Sequence, residues 1–436
     1  MDPLAPFEPS AAEPWDRRRA AHLLRRAGFG AGAAEVADAV RAGPERAVAA
    51  LFEEGDDPEH AATLALGNAV AAREDVADLQ AWWLLRMVRA QRPLREKLAL
   101  FWHGHFATSA AKVGDLRLLA RQNRLFLERG LGPFEELLRG AARDPALLLY
   151  LDSNANRRGH PNENFARELM ELFTLGLGGG FGERDVQEAA RACTGWHVRD
   201  GSFRFDEALH DPAPKTVLGA SGAWTGDDVA RLCARRPECA RFVARKLFVF
   251  FAREDPEPPL VEALGERFRA EGLHVGRFLR ALFRARTFYE PRAMGTRVKG
   301  PVELVVEVVR LTGARPDFRA LARAAGAMGQ SLFQPPNVKG WDGGRRWLSG
   351  AALLARLSFL ARLAEAPGWD APLARRVDGA ADAEAAVDAV LEATVDGAVP
   401  EGARRRLVEL AGRLGPVERA RGLFRALGAL PELHVG

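Results

Sequence analysis

The stretch NENFARELMELFTLG (162–176) sets Glu163, Glu168 and Glu171 among apolar residues, with Asn162, Asn164 and Arg167 beside them. Carboxylates at this density serve acid–base chemistry or bind a hard cation. On a helical wheel of about 100° per residue, Phe165, Ala166, Leu169, Met170, Leu172 and Phe173 share one arc. Glu163, Asn164, Arg167, Glu168 and Glu171 share the other. The spacing predicts one α-helix over 163–175. Glu163–Arg167 and Arg167–Glu171 then form an i,i+4 ladder worth roughly 0.2–0.5 kcal/mol per pair. A solvated face explains that pattern. A site built on the sector of Asn164, Glu168 and Glu171 explains it too, and spacing alone leaves both open.

FWHGHF contributes His103 and His105. On a continuous helix, i and i+2 point roughly 200° apart, so the two rings cannot share a metal unless Gly104 breaks the helix. His105 falls with Leu98, Phe101, Trp102 and Phe106 on the apolar side, and His103 falls with Glu96 on the polar side. HDPAPK places His210, Asp211 and Lys215 in a long connection, where site residues concentrate, although turn chemistry accounts for them equally well. Lysine is scarce beside arginine, so Lys215, Lys299 and Lys339 draw notice as compact, tunable cations. No nucleophile elbow, phosphate loop, dinucleotide fingerprint or H-E-x-x-H is present. Cys193, Cys233 and Cys239 lack the spacing of a zinc site or a disulfide framework.

Nearly every segment repeats its apolar residues at helical period. Glycines and prolines such as Gly28, Pro44, Gly55 and Pro93 mark the ends. The expected fold is all-α: a large multi-helix body of two lobes, about 15–200 and 227–365, with a long irregular loop near 195–226 that carries a short strand or hairpin at SFRF. Residues 1–14 read as a flexible segment, and 366–436 as a linker followed by a helical tail. A second Gly- and Pro-rich stretch, GQSLFQPPNVKGW (329–341), carries Lys339 and Trp341.

The 436 residues suffice for a large core. Lys and Arg number 62 against 58 Asp and Glu, so the net charge of +4 is spread over interleaved signs and forms no nucleic-acid stripe. No transmembrane run and no signal-like start are visible, which reads as cytoplasmic.

Together, HLLRRAGFG (22–30), FWHGHFATS (101–109), NENFARELMELFTLG (162–176), RDVQEAARACTGW (184–196), HDPAPKTVLG (210–219), FVARKLFVFF (242–251), VKGPVELVV (298–306) and GQSLFQPPNVKGW (329–341) resemble the domain of unknown function family 1800. LPELHVG at 430–436 looks like the family's closing motif. The resemblance implies no assigned activity. It does imply a partner, since members are often encoded beside family 1501, which looks like an alkaline-phosphatase relative and often carries an export signal. Action at the cell envelope through that partner follows.

One reading is therefore an enzyme, or a cofactor- or metal-binding partner of one. Its catalytic residues would be His105, Glu168, Glu171, His210 and Lys215. Its ligand-binding residues would be His103, Asn162, Glu163, Asn164, Arg167, Asp211, Lys339 and Trp341. The identity of any metal or cofactor stays open. The other reading is a non-catalytic helical scaffold that holds a partner protein. Convergence of the motifs in one cleft separates the two.

Overall fold

Aspartates and prolines decide where many helices begin. Asp16 accepts from the backbone N–H of Arg19 at 2.9 Å and opens Arg17–Ala27. Asp75, Asp115 and Asp144 likewise cap Val76–Arg89, Leu116–Arg129 and Pro145–Tyr150, satisfying N–H groups that a helix leaves free. Pro237 and Pro301 open Pro237–Phe251 and Pro301–Thr312, where a missing N–H costs nothing. Gly43, at φ 78°, breaks Ala33–Ala50 and Pro44 restarts it.

The computed structural model describes residues 3–53, 55, 57–368, 372–395 and 399–436. It is 63% helical, and strands among the described residues form only two small sheets, which makes the fold all-α in class. Both sheets lie in the 195–226 connection. Trp196–Arg199 pairs antiparallel with Ser202–Phe205, and Lys215–Val217 with Ala220–Gly222. Asp200 and Gly201 turn the first hairpin at φ 50° and 65°, the positive pair that a two-residue hairpin turn requires.

Two helices run through the interior. Leu94–His105 and Pro301–Thr312 are buried over almost all their residues. Val76–Arg89 packs on both, and Leu116–Arg129 lies against the first. Pro237–Phe251 forms a hairpin with Pro258–Ala270. The stretch read as a linker contains the helix Pro372–Asp378, which packs against Ala383–Thr394 and Pro416–Leu427, while Pro301–Thr312 touches the first two of these. After the 329–341 stretch comes a 3-10 turn, Gly344–Leu348, followed by the helix Gly350–Ala364.

Both ends of the described chain lie on this body. Phe7 N–H donates to Arg284 O at 2.6 Å, and Leu4 and Phe7 are buried. Lys299 N–H donates to His434 O at 2.9 Å, beside a bridge between Val298 and Val435. Among the described residues no helix is long and apolar enough to cross a membrane.

Candidate functional site

His103 and His105 are both buried, so the polar side expected for His103 and Glu96 faces the interior. The helix Leu94–His105 has neighbours all around it, and its polar residues meet buried partners in place of water. Nε2 of His103 accepts the N–H of Phe333 at 3.0 Å. Burial brings His103 down to about 3. His105 is also held well below its ordinary value, first by burial and then by the charge of Lys246. Nε2 of His105 lies 3.1 Å from the carbonyl of Phe173. A carbonyl only accepts, so Nε2 carries the proton. Both rings are neutral hydrogen-bonding braces at pH 7.

The contact of His103 holds the 329–341 loop in an unusual shape. Phe333 has φ 61°, rare for a bulky side chain. Its N–H is taken by His103, its carbonyl accepts from Ala110 N–H at 2.8 Å, and Gln80 donates to the neighbouring Leu332 carbonyl at 2.8 Å. Such over-determination is how a strained residue persists. Further along, Gly340 has φ 80°, and a Cβ there would stand 2.3 Å from the carbonyl oxygen of Gly104. Only glycine lets the loop lie on the end of the histidine helix. Trp341 reaches His103 with ring centroids 5.4 Å apart, and Lys339 is left exposed.

The carboxylate helix departs from its expected form. Asn162 caps it by accepting from Asn164 N–H at 3.0 Å. It is α-helical over Glu163–Glu168 and then a π-helix over Leu169–Thr174. Leu175 N–H reaches back five residues to Met170 O at 2.7 Å, and the Thr174 hydroxyl donates to Leu169 O at 2.6 Å. The wider turn takes Glu171 off the wheel position that a continuous α-helix assigns. The expected Arg167–Glu171 pair does not form; Arg167 binds Glu163 at 2.8 Å and Glu183 at 2.6 Å. Asn162, Glu163 and Arg167 are thus spent on a cap and ion pairs, and Asn164 donates to Leu151 O at 3.3 Å.

Glu168 and Glu171 are not. Both are half-buried, and neither makes a hydrogen bond or ion pair among the described residues. Burial raises the Glu168 carboxyl, and Glu171 raises it further, while Lys339 and Arg167 pull it down. Tyr150 is raised by burial and then by Glu168. Glu168, Glu171, Lys339 and Tyr150 therefore share one electrostatic neighbourhood, drawn from motifs more than 150 residues apart in the chain. π-Helical turns of this kind recur at functional sites.

His210, Asp211 and Lys215 make their contacts elsewhere. Nδ1 of His210 lies 2.9 Å from Thr194 O, and Asp211 binds Arg191 at 2.8 Å. Nζ of Lys215, buried, donates to Asp211 O at 2.5 Å. These residues fasten the hairpin connection to the helix Glu183–Ala192. Their hydrogen bonds and ion pairs do not include Glu168, Lys339 or the FWHGHF histidines.

Sequence reasoning missed the charges inside the core. Lys97 binds Glu303 at 2.5 Å, Arg297 binds Glu303 at 2.8 Å, and Arg25 and Lys299 bind Glu307 at 2.8 and 2.7 Å. Arg86 and Trp83 donate to Glu96, which His60 also meets at 2.6 Å. One signal was available: Glu303 and Glu307 stand four apart inside an apolar run, VELVVEVV, where a solvated face has no place.

Cavities described in the molecule lie away from the carboxylates; one of about 580 Å³ is lined by Phe52, His60, Arg92, Arg95 and Leu131. Among the described residues no group of three or more His, Cys, Asp or Glu is placed to hold a metal.

The fold and its interior define a predominantly helical protein whose sequence motifs are tied together by buried ion pairs and histidine braces. The chain belongs to the family described as "Protein of unknown function (DUF1800)", which matches residues 22–433, including the C-terminal helices. No curated protein and no solved structure matches it.

Proposed function

We propose that this protein binds a small hydroxylated or cationic ligand at Glu168 and Glu171 and acts on it by acid–base chemistry. Glu168 is the proton donor, because burial and a like charge favour its protonated form. Glu171 is the adjoining carboxylate that orients the ligand. Lys339 hydrogen-bonds a ligand hydroxyl, since Lys215 and Arg167 are engaged elsewhere. The observation that supports this reading is that two adjoining carboxylates are left out of the surrounding ion pairing, and Glu168 feels the charge of Lys339, carried by a strained, clamped loop. The test is a thermal-shift screen of small hydroxylated and cationic metabolites. A ligand should stabilise the wild type and lose its effect in Glu168→Gln, Glu171→Gln and Lys339→Ala. Hits that survive all three substitutions, or a screen without hits, remove the reading.

A second reading, a scaffold for a protein partner, has one supporting observation. Leu348, Leu353 and Leu354 are 37%, 38% and 66% exposed beside the same loop, an apolar cluster of the kind that marks contact surfaces. The partner implied by the family resemblance is a family 1501 protein, which would bring the pair to the cell envelope. Co-expression followed by size-exclusion chromatography tests it: Leu354→Glu should separate the two chains, and co-elution unaffected by that change counts against this surface.

A further inference from the structure

The helix Pro237–Phe251 carries a lysine that neither reading above uses. The buried lysines Lys97, Lys215 and Lys299 each have a carboxylate or carbonyl partner. Lys246 has neither hydrogen bond nor ion pair among the described residues. Its ammonium stands 5.3 Å from the centroid of the Phe242 ring. It is half-buried, and burial lowers its pKa. Phe242 is fixed in turn: it packs on Gly176, where a Cβ would come within 2.7 Å of the ring.

His105 borders the same place. Its ring centroid lies 6.3 Å from that of Phe242, and it feels the charge of Lys246. The side chain is 2% exposed, and Nδ1 has no hydrogen-bond partner. Because Nε2–H is committed to the Phe173 carbonyl, Nδ1 presents a lone pair and asks for a donor. A cation without a counter-charge and an acceptor without a donor thus border the same Phe242 ring, and a buried polar group left unmatched is costly.

We propose that Lys246 and Nδ1 of His105 form a binding site for a small oxyacid anion that keeps an O–H of its own, the chemistry of a hydrogen phosphate or a hydroxycarboxylate. Lys246 donates to the charged oxygens, and Nδ1 accepts the hydroxyl. Burial draws Lys246 down to about 8, and a bound anion reverses that pull. The inference does not rest on the carboxylate site.

Inorganic phosphate is the probe, and sulfate at equal ionic strength is the control, because sulfate has the charge and shape but no O–H to offer. Isothermal titration should show phosphate binding to the wild type and at least about tenfold weaker binding of sulfate, the value of one charge-assisted hydrogen bond. Lys246→Met, which keeps the apolar stem, should lose phosphate binding. On the wild type, NMR of 13C-methylated lysines should show the Lys246 pKa rising with phosphate. An absent rise, equal phosphate binding by folded Lys246→Met, or sulfate bound as tightly as phosphate overturns the proposal.

Discussion

Nζ of Lys97 lies 2.5 Å from Oε1 of Glu303, both side chains are buried, and the pair joins the two interior helices. Arg297 holds the same carboxylate from the other side at 2.8 Å. Burial opposes the charge on Glu303, but Arg297 and Lys97 outweigh it and hold the carboxyl far below its ordinary 4.5. Glu303→Gln leaves two buried cations short of a counter-charge and should cost about 3–5 kcal/mol in urea unfolding. A loss below about 1 kcal/mol would show that this network is not a main support of the fold. The sign with pH follows from the depressed pKa. The contribution is complete above the unfolded value near 4.5 and is lost as pH falls below it, so the variant's acid unfolding should be less steep.

His103 titrates in the opposite chemical sense, with the same outcome in acid. Its folded pKa of about 3 lies below its ordinary 6.5, so the unfolded chain binds the proton more readily between those values. Stability should fall as pH drops from 6.5 toward 3, by up to roughly 4–5 kcal/mol from this group alone. His103→Gln, which keeps an acceptor for Phe333 N–H, should flatten that slope. An unchanged slope would assign the acid sensitivity to His22 and His105, which are also buried and held low.

Glu168→Gln and Glu171→Gln should leave unfolding free energy within about 0.5 kcal/mol of the wild type, since neither carboxylate has a partner to lose. Glu168→Gln should be neutral or slightly stabilising at pH 7, because the raised pKa means that ionised Glu168 works against the folded state. Marked destabilisation by either change, read in the same urea titration, would mean that the carboxylates are structural after all.

Gly340→Ala forces a Cβ against the Gly104 carbonyl at a backbone angle that alanine resists. The loop should lift from the histidine helix and carry Lys339 away from Glu168. Ligand-induced stabilisation should weaken as it does in Lys339→Ala, and Trp341 fluorescence should change as the indole leaves His103. Gly343→Ala makes the better control: Gly343 also has a positive φ of 70°, but its nearest neighbour is a side chain 3.6 Å away. Equal effects of the two changes would point to backbone strain alone.

The helical fold was legible residue by residue, because each segment's apolar period and its Asp, Pro or Gly boundaries act locally. Asp16 and Gly28 delimit their helix through contacts inside the segment itself. The hairpin at SFRF was legible for the same reason. The π turn at Leu169–Thr174 was not, since it depends on Thr174 and on packing that no wheel contains.

The site was legible in its parts and not in its assembly. Sequence alone marked Glu168, Glu171, Lys339, Trp341 and both histidines as chemically capable, and it brought Lys215 and His210 into the same group. Side-chain chemistry is a property of residue type, so the sequence determined which residues are able to act, along with the helical class and the family. Tertiary structure decided which of them are free to do so. It placed Lys215 on a backbone carbonyl and Arg167 between two other glutamates, and left Glu168 and Glu171 without partners. Pairing and burial are set by groups far away in the chain, and the same carboxylate is a brace or a reagent according to whether a cation already occupies it.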